Sequence, residues 1–402
     1  MLHRICFFFI GAFLLQGPVA AKEQELLVEG YFDGYKVFDQ GPYAIKFNKK
    51  AILSIKKVEK VPQLEAPFLM PPLVDAHVHS MVFKDPHHRS LKEELAFNQA
   101  LSKGQYEDMI LKYLGAMRKS GFLFLRDLGG PDRGEVLLKD LLSRHSDLPY
   151  VQVTTASLSW GRGQCFKGYN CASHFTDISS WDQRKREEFI KNYQGDFLKV
   201  YLDNDPVAGK MPLSIAADLI RLSKKYSLKV ALHIRHDIRD TSVLDGEHVS
   251  FEHFNLQVNK VSKIRATLVP TLYPQSFKSQ ISAGQSAYHH DHIDHLGSLK
   301  EILKKKSFCF GSDFYYLSHD PVRSVGFYSL ESLFEYKKLG FSNLDLLKSI
   351  TTNCYSLFKK NFSLGAIKVG APAHFLLIEG NPAKSLKDLH NIKALYKEGQ
   401  KL

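Results

Sequence analysis

The chain has 402 residues, 44% of them hydrophobic and 12% aromatic, and a formal net charge of +12. This length exceeds one typical domain, and the apolar content supports a large core, so a disordered chain is excluded. Lysines and arginines are spread along the chain and do not form blocks with interleaved aromatic residues, which argues against nucleic-acid binding. The basic excess suits an anionic surface or acidic small molecules instead.

The first 21 residues have the pattern of a secretory signal peptide. Arg4 supplies a basic start, an apolar core runs from Ile5 to Leu15, and small residues end the segment at Ala21. This core is shorter than the roughly 20 residues of a membrane span, so we expect cleavage after Ala21 and an exported protein, periplasmic or secreted. An uncleaved anchor is the alternative. No other apolar run is long enough to span a bilayer, so no stable membrane insertion is expected after cleavage.

Four cysteines remain after this cleavage, and two of them are close in sequence. In an exported protein, Cys165 and Cys171 can close a small disulfide loop, with two free thiols as the alternative. The other two are Cys309 and Cys354. Because the chain has no C-x-x-C motif, a thiolate zinc site is unsupported.

The middle of the chain alternates between apolar strands and amphipathic helices. The predicted strands are Leu73–His77, Phe122–Leu125, Val151–Thr155, Phe197–Tyr201, Val230–His233, Val249–His253, Thr267–Thr271 and Phe308–Gly311. Predicted helices between them include Glu107–Lys119, Asp182–Tyr193, Leu213–Tyr226 and Leu299–Lys305. Eight strand-then-helix units predict an α/β fold, a (β/α)8 TIM barrel, over residues 70–359.

Both ends of the mature chain read as short strands without a helical period. In the tail, the predicted strands are Leu364–Val369, His374–Ile378 and Ala394–Glu398. Because strand segments flank the barrel on both sides, we expect residues 22–69 and 360–402 to form one small β-sandwich domain.

The stretch from Leu73 to Ser80 contains two candidate metal ligands. Apolar residues alternate there with Asp75, His77 and His79, the period of a strand with two different faces. The two histidines are two residues apart, so their imidazoles leave the same face and can bind one ion. A single H-x-H is weak evidence, since two histidines at a strand end can also be satisfied by neighbours or water.

Further candidates follow at the ends of the later strands, where catalytic groups lie in such barrels. The set comprises His77 and His79 on strand one, Lys199 on strand four, His233 on strand five, His253 on strand six and Asp313 on strand eight. Chance rarely places six such side chains in chain order at one end of a barrel.

Several motifs resemble those of the metal-dependent amidohydrolase superfamily, in particular the branch with imidazolonepropionase-like enzymes and exported Xaa-Pro dipeptidases. They are Leu73–His79 (LVDAHVH), Gly121–Gly130 (GFLFLRDLGG), Gly195–Tyr201 (GDFLKVY), Val230–His233, Phe251–His253, Gly311–Asp313 (GSD) and Gly365–Pro382. The resemblance covers about Leu26 to Leu402. The chain departs from the family pattern at Pro72, at His374-Phe375 and at Gln400, none of which is a ligand.

This resemblance implies a cofactor of one or two divalent metal ions, with zinc as the expected metal. His77, His79 and Asp313 would hold one ion and His233 and His253 the second, and a carbamylated Lys199 would bridge them. With an unmodified Lys199, one metal remains. The resemblance also implies that a metal-bound hydroxide attacks the substrate carbonyl, while Asp313 shuttles a proton to the leaving nitrogen as the catalytic residue.

Residues two positions beyond a ligand share its strand face and could line a substrate pocket. They are Tyr201, Arg235, Asn255 and Tyr315, of which Arg235 suits either a substrate carboxylate or a structural salt bridge. The histidine-rich run at residues 289–295 is expected to be a solvated loop. A homo-oligomer is compatible with the sequence.

The sequence therefore predicts an exported hydrolase of a small-molecule substrate. The bond cleaved would be a C–N bond in an amide, a cyclic amide or a dipeptide. The alternatives are an ester or lactone hydrolase on the same metals, or a catalytically inactive binding protein of the same fold.

Overall fold

The computed structural model describes residues 22–59, 66–84, 91–130, 134–161, 175–202, 210–234, 242–253, 264–272, 296–317, 325–358 and 366–402. The predicted signal peptide, the histidine-rich run and the cysteines at 165 and 171 lie outside these residues. Within them, the strands are β1 (Gln24–Phe32), β2 (Val37–Phe38), β3 (Tyr43–Phe47), β4 (Ile52–Lys57), β5 (Ala66–Met70), β6 (Leu73–Lys84), β7 (Phe122–Asp127), β8 (Tyr150–Val153), β9 (Ser157–Ser159), β10 (Phe175–Asp177), β11 (Phe197–Tyr201), β12 (Lys229–His233), β13 (Val249–Glu252), β14 (Thr267–Val269), β15 (Phe314–Leu317), β16 (Phe375–Ile378), β17 (Ile392–Lys397) and β18 (Gln400–Lys401). The helices are α1 (Leu91–Ala100), α2 (Lys103–Lys119), α3 (Gly134–Arg144), α4 (Gln183–Lys191), α5 (Leu213–Lys225), α6 (Leu296–Lys305), α7 (Val325–Lys338) and α8 (Asn343–Ser349).

One eight-stranded sheet is built from both ends of the described chain. Its order is β18-β17-β16-β5-β1-β3-β4, with β2 paired to β1, and β5 runs parallel to β1 and antiparallel to β16. The Phe47 ring of β3 lies 4.9 Å from the Phe375 ring of β16 and 5.6 Å from the Tyr396 ring of β17. Because β3 and β16 are three positions apart in the sheet, the sheet curls around this apolar core. The composite β unit is thus present, while its division into two facing sheets stays a prediction.

The remaining strands form two parallel sheets with backbone contacts between them. One has the order β15-β6-β7-β8 and the other β10-β9-β11-β12-β13-β14. The amide of Asp196, just before β11, donates to the Val153 carbonyl of β8 at 2.8 Å. Parallel bridges join Leu268 to Phe308 and Thr271 to Gly311, and the Ala76 amide of β6 donates to the Phe310 carbonyl at 3.0 Å.

The helices cover these sheets with their apolar faces, as α2 illustrates. Its N-terminus is closed by a capping box between Ser102 and Gln105, and Ile110, Leu114 and Met117 on one face are buried. This i, i+4, i+7 spacing places the three side chains on the face that packs inward, so the periodicity seen in the sequence corresponds to burial.

Two predicted strands are wrong in part. Residues 308–311 form only isolated bridges, because the Phe310 amide donates to the Ser349 carbonyl at the end of α8 rather than to a neighbouring strand. Residues 367–369 of the predicted strand 364–369 lie in bends and a turn. A disulfide that the sequence did not indicate joins Cys309 to Cys354, 45 positions later, and both residues are fully buried.

His374, one of the departures from the family pattern, connects the curled sheet to the parallel strands. Its Nδ1 accepts a hydrogen bond from the Glu398 amide at 3.0 Å, and its ring packs against Phe124 and Tyr150 at centroid distances of 5.9 and 5.7 Å. Burial lowers the pKa of His374 to about 4, with the nearby Glu398 carboxylate opposing and the Lys397 ammonium adding to the shift. The folded protein therefore holds this imidazole neutral.

This neutral histidine predicts a loss of stability in mild acid. Because its pKa is lower in the folded chain than the unfolded value of about 6.5, the unfolded chain takes up the proton first, and stability falls as pH drops from about 6.5 to about 4. The contribution is about 3 kcal/mol from these two pKa values. His374→Asn keeps an acceptor for the Glu398 amide but does not titrate, so urea unfolding at pH 7, 6, 5 and 4.5 should show a shallower pH dependence than in the unmodified protein. Equal slopes would exclude His374 as the source.

Candidate active site

Three of the predicted ligands, His77, His79 and Asp313, converge where β6 passes the residue before β15. The Asp313 Oδ1 atom lies 3.4 Å from the His77 Nε2 atom and 3.2 Å from the His79 Nε2 atom. One ligand atom from each of the three residues lies within 4.8 Å of the others. The Asp313 amide donates to the His77 carbonyl at 2.7 Å, which fixes the two strands at this point.

The opposite ring nitrogens are held by hydrogen-bond acceptors. His77 Nδ1 lies 2.8 Å from Glu252 Oε2, and His79 Nδ1 lies 2.8 Å from the Gly129 carbonyl oxygen. Since a carboxylate and a carbonyl can only accept, each Nδ1 carries a hydrogen, and in the neutral imidazole Nε2 then presents its lone pair. His77 Nε2 is buried without a hydrogen-bond partner. An imidazole held at Nδ1 with an open, buried Nε2 is the arrangement of a metal-ligating histidine, so these residues fit a divalent ion.

His253 and His233 continue the group of imidazoles. The His253 ring lies 4.5 Å from both the His77 ring and the His233 ring, measured between centroids. His253 Nδ1 is 2.6 Å from Thr271 Oγ1 and 3.7 Å from Asp313 Oδ2. The four histidines therefore form a continuous row, and Asp313 faces His77 and His79 through Oδ1 and His253 through Oδ2.

Unusual backbone conformations direct two of these side chains. His253 and Asp313 have φ values of 60° and 59°, in the left-handed region that residues other than glycine seldom adopt. Backbone strain of this kind often marks functional sites. Gly311 is required for a steric reason, because a Cβ at this position would lie only 2.7 Å from the Cβ of His77. Only glycine lets this segment approach β6 so closely.

Lys199 is fully buried on β11. It is in register with Ser157 on β9 and Ala231 on β12, and its Nζ lies 5.2 Å from the centroid of the Tyr201 ring. Its charge lowers the pKa of both His77 and His253, which places the ammonium within electrostatic reach of the ligand set.

The ionisation of the site suits cation binding. Burial and the charge of Lys199 lower the pKa of His77 to about 4, although the Asp313 and Glu252 carboxylates oppose the shift. Burial would raise the pKa of Asp313, but the imidazoles of His253, His77 and His79 hold it well below its usual range. Burial would lower the pKa of His79, but the hydrogen bond to Asp313 and the charge of Asp313 raise it above its usual value, so a metal ion that binds there must displace a proton. His77 as a neutral imidazole and Asp313 as a carboxylate are already in the protonation states in which these groups ligate a metal.

Behind His77 lies a buried ionic network that sequence reasoning missed. Arg126 Nη2 donates to Glu252 Oε1 at 3.0 Å and to Ser250 Oγ at 2.8 Å. Burial raises the pKa of Glu252, but Arg126, His77 and Lys199 together bring it down to about 2. The sequence does contain a signal for this network, because Arg126 and Glu252 are charged residues at the ends of largely apolar strands.

The structure describes two of the four predicted substrate-binding residues. The Tyr201 ring lies 4.5 Å from the His233 ring, so Tyr201 does border the imidazole group. The backbone of Tyr315 on β15 pairs with His79 on β6. Arg235 and Asn255 lie outside the described residues.

Comparisons with known proteins agree with this geometry. The profile of the Amidohydrolase family matches residues 68–402. A search of curated proteins gives no match. Within the described residues, no helix combines the length and apolar character needed to cross a bilayer.

Three solved structures share the fold at low sequence identity. A Xaa-Pro dipeptidase with bound methionine has a TM-score of 0.73 at 15% identity, covering 95% of this chain and 100% of its own. The ochratoxinase of A. niger has a TM-score of 0.72 at 15% identity, covering 95% of both chains. Molinate hydrolase has a TM-score of 0.72 at 13% identity, again covering 95% of both. With the family match over most of its length, the chain belongs to the Amidohydrolase family and is a hydrolase acting on carbon–nitrogen bonds.

Proposed function

We propose that this protein is an exported, metal-dependent hydrolase that cleaves the C–N bond of an amide, a cyclic amide or a dipeptide. The observation that carries the proposal is the convergence of His77, His79 and Asp313, with both histidines held at Nδ1 so that Nε2 faces the carboxylate. Similarity in fold to a Xaa-Pro dipeptidase, an ochratoxinase and molinate hydrolase supports an amide-like substrate.

The proposal includes a closed (β/α)8 barrel over residues 70–359, with the two chain ends forming the small β domain. The backbone contacts between the two parallel sheets support closure. In such a barrel the catalytic groups lie at the carboxyl ends of the strands. His233 ends β12 and His253 directly follows β13, as this arrangement requires, whereas His77 lies within β6, which is longer than the predicted strand Leu73–His77.

His77, His79 and Asp313 would hold one divalent ion, and His233 and His253 a second, with Lys199 between them as a carbamate. Bound metal, with zinc as the expected ion, lowers the pKa of water and polarises the substrate carbonyl. Lys199 in its ammonium form would repel a cation. The carbamate, which would form when the neutral amine adds to carbon dioxide and releases a proton, is anionic and offers two oxygens. The complete burial of Lys199 beside the imidazoles supports this assignment.

Asp313 would move the proton. Its low pKa means that it is a carboxylate at rest and can accept a proton from the attacking water. One of its oxygens faces His77 and His79, and the other faces His253. The same carboxyl group then gives the proton to the leaving nitrogen, which would otherwise depart as a very poor amide anion.

Export is supported by the signal-like N-terminus and by the Cys309–Cys354 disulfide. Disulfides persist in oxidising compartments and are rare in the reducing cytosol of most cells. N-terminal sequencing of the exported fraction should begin at Lys22, and an intact Met1 there would indicate an anchor instead.

The proposed activity is tested by elemental analysis followed by a substrate screen. Purified protein should contain up to two divalent ions per chain and should hydrolyse members of a panel of dipeptides and N-acyl amino acids. Removal of the metal with a chelator should abolish turnover, and zinc or manganese should restore it. Protein that binds no metal would contradict the proposal, and turnover restricted to lactones and esters would favour the alternative hydrolase.

A further inference from the structure

We propose that Arg126, Ser250 and Glu252 are positioning residues that hold His77 in the Nδ1–H tautomer, so that its Nε2 is available for metal. The inference rests on the proposed function, since it takes His77 Nε2 as a ligand atom. It assigns a role to a buried charge pair that the chemistry itself does not use.

The network joins three strands beneath the ligand set. Arg126 lies on β7, Ser250 and Glu252 on β13, and His77 on β6. All four residues are at most 1% exposed. Arg126 and Ser250 both donate to Glu252 Oε1, at 3.0 and 2.5 Å, and His77 Nδ1 donates to Oε2 at 2.8 Å.

The direction of every hydrogen bond in this network follows from its chemistry. Arginine has only donors and a carboxylate only acceptors, so hydrogens point toward Glu252 from both sides. Glu252 therefore cannot donate to His77, and Nδ1 must carry the hydrogen. Arg126 is itself fixed by its planar fork and by stacking, since its guanidinium carbon lies 4.4 Å from the centroid of the Phe197 ring.

His79 provides an internal comparison. Its Nδ1 is held by the backbone carbonyl of Gly129, which no side-chain substitution removes. The orientation of His77 thus depends on side chains, while that of His79 depends on the backbone. Substitutions in the network should therefore affect one ligand and leave its neighbour in place.

Glu252→Gln tests the inference because an amide has one acceptor and one donor. If its oxygen faces Arg126 and Ser250, its NH2 faces His77 and forces the Nε2–H tautomer, which cannot bind metal. If the oxygen faces His77, the NH2 opposes two donors. We expect metal affinity of the metal-free protein, measured by competition with a chromophoric chelator, to fall about 10–100-fold, as for other outer partners of metal ligands. Nitrogen-15 NMR of labelled histidines in the metal-free protein should show loss of one Nδ1–H tautomer.

The matched control is Asp218→Asn. This substitution also removes a carboxylate that is paired with a largely buried arginine, since Asp218 Oδ2 lies 3.0 Å from Arg186 Nε. The pair joins helix α5 to helix α4 and is not part of the ligand set. It should lower stability and leave metal affinity within about twofold. If Glu252→Gln fails to fold, Arg126→Lys, which keeps the charge but not the fork, serves in its place with a smaller expected loss.

Three outcomes are distinguishable. Weaker metal binding and a changed tautomer in the network variants, but not in Asp218→Asn, support the inference. Unchanged affinity with reduced stability would overturn it and leave the network a structural ion pair. Absence of metal binding in the unmodified protein would instead contradict the proposed function.

Discussion

Asp313→Asn is expected to reduce kcat for an amide substrate by about 10²–10⁴-fold, the usual contribution of general acid–base catalysis. The substitution keeps the shape of the side chain and one oxygen near His77 and His79, but it removes the negative charge and the basic oxygen. Protonation of the leaving nitrogen is the step that most needs this group. Steady-state kinetics combined with metal analysis should therefore show much of the metal retained and turnover lost.

A comparison of leaving groups sharpens this test. An activated ester leaves as a stable anion and needs little proton delivery, so the loss caused by Asp313→Asn should be smaller for such an ester than for an amide. Near-normal turnover of the amide by the variant would remove Asp313 from the mechanism. It would also strengthen the ester-hydrolase and binding-protein alternatives.

Lys199→Ala should remove one of two bound ions and lower activity by more than the roughly 10–100-fold that outer partners of metal ligands contribute. The reason is electrostatic, because a bridging anion is lost from between two cations. Bicarbonate or a short-chain carboxylic acid can occupy the space left by the side chain and should restore part of both metal content and activity. Metal content is measured by elemental analysis and activity by steady-state kinetics, each with and without the added acid.

Lys229→Ala is the matched control for this rescue. Lys229 lies at the start of β12 and donates to the carbonyl oxygens of Ser356 and Phe358, away from the imidazoles. It should keep its metal and show no response to the added acid. A single ion in the unmodified protein, unchanged in Lys199→Ala, would instead favour a mononuclear site with an uncarbamylated lysine.

The ligand set could be predicted because its signals are local. His77 and His79 are two apart on one strand, and Asp313 ends a short apolar run, so each is visible without knowledge of its neighbours. The structure brings these three together and stacks His253 and His233 beside them. The left-handed conformations of His253 and Asp313 have no such signal, since they arise where a strand must turn toward the site.

Features that depend on distant pairing could not be predicted. Arg126, the partner of Glu252, lies 126 positions earlier in the sequence. Nothing in the sequence around Cys309 and Cys354 indicates that the two residues are in contact. The disulfide between Cys165 and Cys171 is predicted only from their closeness in sequence. His374 was visible as a departure from the family pattern, but its contacts with Tyr150 and Glu398 follow from how the two sheets pack.

The curled sheet also determines when this protein can finish folding. β5 needs β1 on one side and β16 on the other, and Gln24 donates a hydrogen bond to the Gly399 carbonyl, 375 positions later. β5 therefore lacks one of its two neighbours until almost the whole chain has been made. Contacts between such distant segments slow folding and leave strand edges exposed in the meantime. A chaperone that shields β5 during this interval would increase the yield of native protein, and a chain shortened before β16 should form a long-lived, aggregation-prone intermediate.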